Sequence, residues 1–285
     1  MPTAVLYLVA TPIGNLGDMV PRALSVLQSV DAIAVEDTRH SGKLLQYFGI
    51  SKPLIPYHDH NEREAADRIL HLLQQDKCVA LISDAGTPAI ADPGYRLVRL
   101  AHQHGVRVEP VPGPCAAIAA LSASGLPSDR FLFAGFLPAK SQARQSALAA
   151  LGNDSASLIF YEAPHRLADT VDDMVQVLGG EREICLAREL SKQFETIWLT
   201  TLAGLQQGIR EKRVEQRGEM VLVVAGNTQS SSVEDAEAQR VLDILLDDLP
   251  VKQAAALAAK ITGVGKRDLY QLALARKHEV DAHDD

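Results

Sequence analysis

The chain has 285 residues, 47% of them apolar, with 28 Lys and Arg against 36 Asp and Glu, a formal net charge of −8. That length holds about two domains of ordinary size, and the apolar share supports a substantial core and excludes a disordered chain. No apolar run reaches the roughly 18–20 residues of a membrane helix, and the acidic balance argues against a protein that coats nucleic acid without specificity.

Ala4–Ala10 reads as a strand, followed by a helix over Pro21–Val30 with Pro in its first turn. A strand over Asp31–Val35, a helix over Ser41–Phe48 and an amphipathic helix over Glu62–Gln75, capped by Asn61, come next. Then follow a strand at 77–83, a helix at 94–104, a strand at 106–111 and a helix at 115–124. Strands alternating with helices imply a parallel sheet covered on both faces. Gly125–Asp129 reads as a linker. Beyond it, strands at 131–135, 157–161, 183–188, 196–200 and 219–225 accompany helices at 140–150 and 165–178. Two of these strands lie close together without a helix between them, so this second sheet is expected to be mixed. Asn227–Ser232 is a polar linker, and helices near 234–247, 251–261 and 266–277 close the chain. The predicted domains are 1–126, 127–228 and 229–285.

Polar and Gly/Pro clusters fall where strands end. The densest is Ser83-Asp84-Ala85-Gly86-Thr87-Pro88-Ala89-Ile90-Ala91-Asp92-Pro93-Gly94, directly after the apolar run Cys78–Ile82. An acid followed by small residues lets bare backbone approach a ligand at the carboxyl edge of an open α/β sheet, where such sheets bind. The loop Ala10-Thr11-Pro12-Ile13-Gly14-Asn15-Leu16-Gly17-Asp18 matches neither a dinucleotide fingerprint nor a Walker loop, and by itself suits a plain turn. Glu36-Asp37-Thr38-Arg39-His40-Ser41 could orient a hydroxyl or phosphate, or serve as a helix cap with surface ion pairs. His58 and His60 have no third ligand at a recognisable spacing, so a cleft wall is expected there and no metal. Pro112-Gly113-Pro114-Cys115-Ala116-Ala117 opens a helix of small residues, with Cys115 as an apolar liner. Phe160–Arg166, Ala187–Glu195 and Arg217–Val221 complete the set.

Three cysteines, Cys78, Cys115 and Cys185, are odd in number and far apart, form no zinc or redox motif, and suit a reducing cytoplasm. Met1-Pro2-Thr3-Ala4 carries no basic stretch, so no secretory signal is expected. Charge segregates near the C-terminus. Residues 251–280 hold Lys252, Lys260, Lys266, Arg267, Arg276 and Lys277 against Asp268 and Glu279, a balance of +4, whereas 233–248 hold six acids and one Arg. That pattern describes either two solvated helix faces or a nucleic-acid surface.

Taken in order, Pro12 with Gly17-Asp18, Gly86-Thr87-Pro88 and Pro112-Gly113 with Cys115-Ala116 resemble the tetrapyrrole methylase superfamily. The forms Ala10–Leu16, Glu36–Arg39, Ser83–Pro88 and Phe160–Arg166 are most similar to its branch that methylates small-subunit ribosomal RNA. The resemblance covers about residues 4–227. It implies two α/β domains with a cofactor cleft between them, plus a small C-terminal helical region. It implies S-adenosyl-L-methionine as cofactor, 2'-O-methylation of a cytidine ribose in 16S rRNA as reaction, no metal, no membrane, and a homodimer. Many porphyrinoid methylases carry Gly-Asp-Pro where this chain has Gly86-Thr87-Pro88, which counts against a porphyrinoid substrate. A corrin or sirohaem-type methylase and a non-catalytic module that binds RNA and cofactor remain the rival readings.

Carried onto this chain, the resemblance assigns cofactor contacts to Pro12, Asp84, Ala85, Gly86, Thr87, Ile90, Cys115, Ala116, Tyr161, Leu190, Glu219 and Met220. Glu36, Asp37, Arg39, Glu189 and Lys192 are the candidates for positioning or proton removal. A Lys lying beside a sulfonium could have a lowered pKa through like charge and desolvation. Arg166, Arg188, Lys252, Lys260, Lys266 and Arg267 are the candidate RNA contacts, with Arg210, Lys212 and Arg213 extending that surface.

Overall fold

The computed structural model describes residues 4–227 and 230–281. The opening residues 1–3 and residues 228 and 229 of the expected linker lie outside them. Five parallel strands, β1 (Val5–Val9), β2 (Ala32–Val35), β3 (Leu54–Pro56), β4 (Val79–Ile82) and β5 (Arg107–Val111), form a first sheet in the order β3-β2-β4-β1-β5. Strand alternation sorts its side chains. Leu6, Ala34 and Leu81 face one layer with α3 (Glu62–Gln74) and α4 (Tyr95–Gln103). Ile33, Ala80 and Ile82 face the other with α1 (Pro21–Ser29) and α2 (Thr38–Tyr47). Continuous apolar runs such as Val79–Ile82 are buried throughout because both faces are covered.

Two local details differ from expectation. α2 starts at Thr38, three residues early, because the Asp37 carboxylate accepts from the Arg39 and His40 amides at 2.7 and 3.3 Å. Asn61 precedes α3 but makes no side-chain cap. Its side chain accepts from the His58 amide and donates to the Pro56 carbonyl, bracing the loop.

The second sheet holds β6 (Phe131–Phe136), β7 (Ser157–Glu162), β8 (Glu183–Arg188), β9 (Thr196–Thr201) and β10 (Met220–Val224), in the order β6-β7-β10-β8-β9. Only β6 and β7 run parallel, so the sheet is mixed as expected. Around it lie α6 (Ser141–Leu151), α7 (Leu167–Leu178) and α8 (Leu202–Arg210); α8 escaped the sequence reading. Helix α5 (Ala116–Ala123) follows the first sheet in the chain yet packs on β7 and β10 of the second, burying Ala117, Ala120 and Leu121 against Ile159, Cys185 and Val221. Both sheets belong to one compact unit, up to Leu148 and from Ala156 to Ala225.

Residues 149–155 and those from Gly226 onward form a second unit. Its helices α9 (Ser230–Asp248), α10 (Val251–Thr262) and α11 (Lys266–Asp281) enclose a small core of Ala238, Leu242, Ala254, Ala255, Ala258, Leu269 and Ala273. Alanines bring these helices close together. α10 stops at Gly263, whose φ of +78° supplies the left-handed cap, with its N–H on the Ala259 carbonyl.

One buried ion pair fastens α6 to α7. Arg144 Nε meets Asp173 Oδ2 at 2.6 Å with side chains 4% and 9% exposed, and Ser141 and Gln145 also donate to Asp173. Removing one partner strands the other charge in the interior. Asp173→Ala is expected to cost about 3 kcal/mol, read as a lower denaturant midpoint in equilibrium unfolding.

Candidate active site

Three loops at the carboxyl ends of the first sheet's strands are bonded to one another. Thr11 and Gly86 exchange backbone hydrogen bonds at 2.9 and 3.1 Å, joining the loops after β1 and β4. The Thr87 hydroxyl donates to the Pro114 carbonyl at 2.9 Å, joining the loops after β4 and β5. Gly86 has φ +85°, and a Cβ there would meet the Ile13 side chain at 3.3 Å. At Gly113 a Cβ would stand 2.9 Å from that of Ala10, so the loops after β1 and β5 touch only because Gly113 has no side chain.

Opposite these loops lie the ends of β7 and β8 and the start of β10. Between the two sets is a cavity of about 370 Å³. Ala85, Gly86, Thr87, Ile90, Cys115 and Ala116 line it from the first side, and Tyr161, Leu190, Glu219 and Met220 from the second. Those are ten of the twelve residues expected to contact a cofactor. The other two stand behind the wall. Pro12 is buried and its neighbour Ile13 reaches the cavity. Asp84 turns back, accepting from the Asp37 amide at 3.3 Å and the Ser41 hydroxyl at 3.4 Å.

The lining also includes residues the sequence reading did not select. Ala91, Asp92, Ala163, Pro164, Ala187 and Gly218 lay inside motifs already singled out. Phe136 carried no signal beyond ending a strand. It packs edge-on against Tyr161 at 5.7 Å, as Phe133 does at 5.0 Å. The Tyr161 hydroxyl accepts from the Ala117 amide at 3.2 Å. Burial, then the Cys115 thiol, push the Tyr161 phenol up to about 12, so it stays neutral.

Strain gathers at this cavity. Ala89, Ala91, Glu189 and Ser191 all have left-handed φ values, between +51° and +67°, without being glycine. Each costs of order 1 kcal/mol and persists only where the surroundings enforce it, as at binding sites.

Four carboxylates crowd the first side: Glu36, Asp59, Asp84 and Asp92. Burial first, then the charges of Asp92, Asp84 and Asp59, raise the Glu36 pKa to about 6. Asp92 is raised too, chiefly by burial, against a hydrogen bond from Ser83. Asp37 differs. Its two amide donors hold it below the usual carboxylate range, so it is a helix cap and a poor base. Arg39 is exposed and, among the described residues, makes no ion pair.

On the second side Lys192 Nζ lies 2.9 Å from Glu189 Oε1 and 3.2 Å from Glu219 Oε2, and the same Glu189 oxygen accepts the Glu219 amide at 3.0 Å. The Lys192 pKa is raised on balance. Burial does pull it down, but the hydrogen bond to Glu189 and the charge of Glu219 outweigh that and raise it. Glu189 is lowered by its bonds to Lys192 and the Glu219 amide. Lys192 is therefore a fixed cation that ties Glu189 to Glu219, while Glu189 bonds the Glu219 backbone at the cavity wall. Ser191 donates to Asp18, bridging the loops after β8 and β1.

The candidate RNA residues separate into two kinds. Arg166 is committed internally, to Glu162 at 3.2 Å and to the Leu137 and Pro138 carbonyls. Arg188 is only 8% exposed. Neither is an open surface cation: Arg166 is turned onto the end of β7 and the segment after β6, and Arg188 onto Glu215 and the Arg217 carbonyl. Lys252, Lys260, Lys266 and Arg267 are all exposed on α10 and α11; the side chains of Arg276 and Lys277 lie outside the described residues. His58 and His60 rings are 6.0 Å apart, and among the described residues no three His, Cys, Asp or Glu side chains are placed to hold a metal. No described helix is long and apolar enough to cross a membrane.

Two solved structures share the fold. Uroporphyrin-III-C-methyltransferase from Thermus thermophilus superposes with TM-score 0.55 at 21% identity, over 81% of this chain and 97% of that one. A diphthine synthase gives 0.60 at 15% identity, over 78% and 90%. The family model for tetrapyrrole (corrin/porphyrin) methylases matches residues 5–206, so fold and site define a tetrapyrrole methylase, a methyltransferase class whose donor is S-adenosyl-L-methionine. A second model, the RsmI C-terminal HTH domain, matches 232–277. Ribosomal RNA small subunit methyltransferase I of Pseudomonas aeruginosa is 58% identical over 97% of this chain and 99% of its own length, and that of Escherichia coli O157:H7 is 54% identical over 95% of each. The chain belongs to the ribosomal RNA small subunit methyltransferase I family.

Glu36 is expected to titrate near pH 6 in a side-chain carboxyl NMR experiment. Asp84→Asn removes a like charge and should move that midpoint down.

Proposed function

We propose that this chain transfers a methyl group from S-adenosyl-L-methionine to the 2'-oxygen of a cytidine in small-subunit (16S) ribosomal RNA, in the cytoplasm and as a homodimer. The observation that carries the reading is the cavity on this fold, together with full-length relatives named for small-subunit rRNA methylation. The cavity suits the donor. Ala85 and Gly86 offer backbone without bulk, Ile90, Leu190 and Met220 are apolar, and the carboxylate of Asp92, electrostatically coupled to Glu36, favours a cation. When bound, the cofactor supplies a sulfonium methyl group to an attacking oxygen.

The chain's own residues then position and deprotonate. Glu36, with a pKa of about 6, is mostly ionised at neutral pH yet still basic enough to accept a hydroxyl proton, and Asp92, whose charge helps to raise it, lines the cavity. The Lys192–Glu189–Glu219 group keeps the opposite wall in place. Arg39 and the exposed Lys252, Lys260, Lys266 and Arg267 offer cations to the RNA backbone. The dimer is supported by apolar residues left uncovered on the α5 face of the second sheet. α5 packs on its central strands, while Phe131 and Phe136 on one outer strand and Ile197 and Leu199 on the other stay between 40% and 57% exposed.

The test offers labelled S-adenosylmethionine with undermethylated small subunits, naked rRNA or uroporphyrinogen, followed by digestion to nucleosides. Label in 2'-O-methylcytidine is expected; label only in the tetrapyrrole would overturn the substrate. Gly86→Val places a branched side chain at a left-handed φ against Ile13 and should weaken S-adenosylhomocysteine binding by about tenfold or more in calorimetry. Ile197→Glu should give a monomer in sedimentation velocity, since a charge cannot be buried unpaired in an apolar interface.

A further inference from the structure

A second pocket, of about 280 Å³, lies against the far face of β8. Strand alternation accounts for its position. Ala187 points into the candidate active site, and its neighbours Leu186 and Arg188 point into this pocket. Thr196 and Trp198 of β9 and Arg213 and Glu215 of the segment after α8 complete it. That last segment borders both sites, because Gly218, Glu219 and Met220 line the first.

Arg188 is a buried cation with loose partners. Its Nη1 is 3.5 Å from Glu215, whose side chain is 71% exposed, and 3.3 Å from the Arg217 carbonyl. A guanidinium has five donors, and the described residues give this one no other bond. A buried charge held so weakly favours an incoming anion. Arg213 stands 6.0 Å over the Trp198 ring, and its guanidinium also meets Glu211 at 2.8 Å. Cations beside an aromatic plane are the arrangement that takes an unstacked nucleotide, phosphate on the guanidinium and base on the ring.

We infer that this pocket binds a nucleotide of the RNA substrate flanking the methylated one, with its phosphate on Arg188 and Arg213 and its base against Trp198. The inference rests on the RNA-methylating reading above. Its volume, near the lower end for small-molecule sites at about 300 Å³, suits one nucleotide. A strand passing over residues 214–218 would connect the two sites.

Trp198 is the single tryptophan of the chain, so its emission reports on this pocket alone. In the full chain, hexacytidylate should quench Trp198 saturably, cytidine 5'-monophosphate should do so at much higher concentration, and inorganic phosphate should not. Arg213→Glu, at an exposed position, should weaken hexacytidylate binding roughly tenfold. It should also lower the slope of log affinity against log salt by about 0.7, while Arg213→Lys keeps the slope. Hexacytidylate bound with unchanged Trp198 emission, or equal quenching in Arg213→Glu, would overturn the pocket and leave the RNA reading standing. Equal quenching by phosphate alone would make it an anion site and overturn the nucleotide assignment. Wild-type chain that binds no RNA at all would overturn both.

Discussion

Everything at the candidate active site depends on where α5 is seated. The helix follows the first sheet but is buried on the second, and its Ala117 amide is received by the Tyr161 hydroxyl. Because the Pro112–Cys115 loop is then held at both ends, the carboxyl edge of one sheet is brought against the strand ends of the other. Apolar burial provides the driving force, and alanines at 116, 117, 119 and 120 set how close the backbone comes. A larger residue facing the sheet would hold the two edges apart and open the cavity.

The two walls of that cavity differ electrostatically. On one side Glu36 and Asp92 share a half-buried space with Asp84, and among the described residues no cation pairs with them, so Glu36 and Asp92 hold their protons more tightly than in water. On the other, Lys192 sits between two carboxylates and pairs with both, which leaves the group one net negative charge. One wall therefore exchanges protons near neutral pH, and the other keeps a constant charge and shape.

Local pattern reached most of the architecture. The buried strands of the first sheet are legible because both faces are covered and every residue is apolar. The mixed second sheet is legible because β8 and β9 are too close in sequence for a helix to intervene. Two elements were missed. β3 has three residues and ends in Pro, too short for any periodicity, and exists because β2 offers it an edge. α8 carries Gly204 and Gly208, which lower helix propensity. They are tolerated because Thr201 caps the helix and a Cβ at Gly208 would run into Trp198.

The sequence by itself determined most of the residues that meet at the cavity, because binding loops sit at the carboxyl ends of parallel strands and their small residues are visible in order. Tertiary structure alone decided what those residues do there. Asp37 became a cap, Asp84 a brace, Lys192 a fixed cation and Arg188 a buried one, since a side chain's charge state and reach follow from burial and partners far away in the chain. Asp92, which spacing did not distinguish from its neighbours, faces the cavity because the strained turns at Ala89 and Ala91 direct it there.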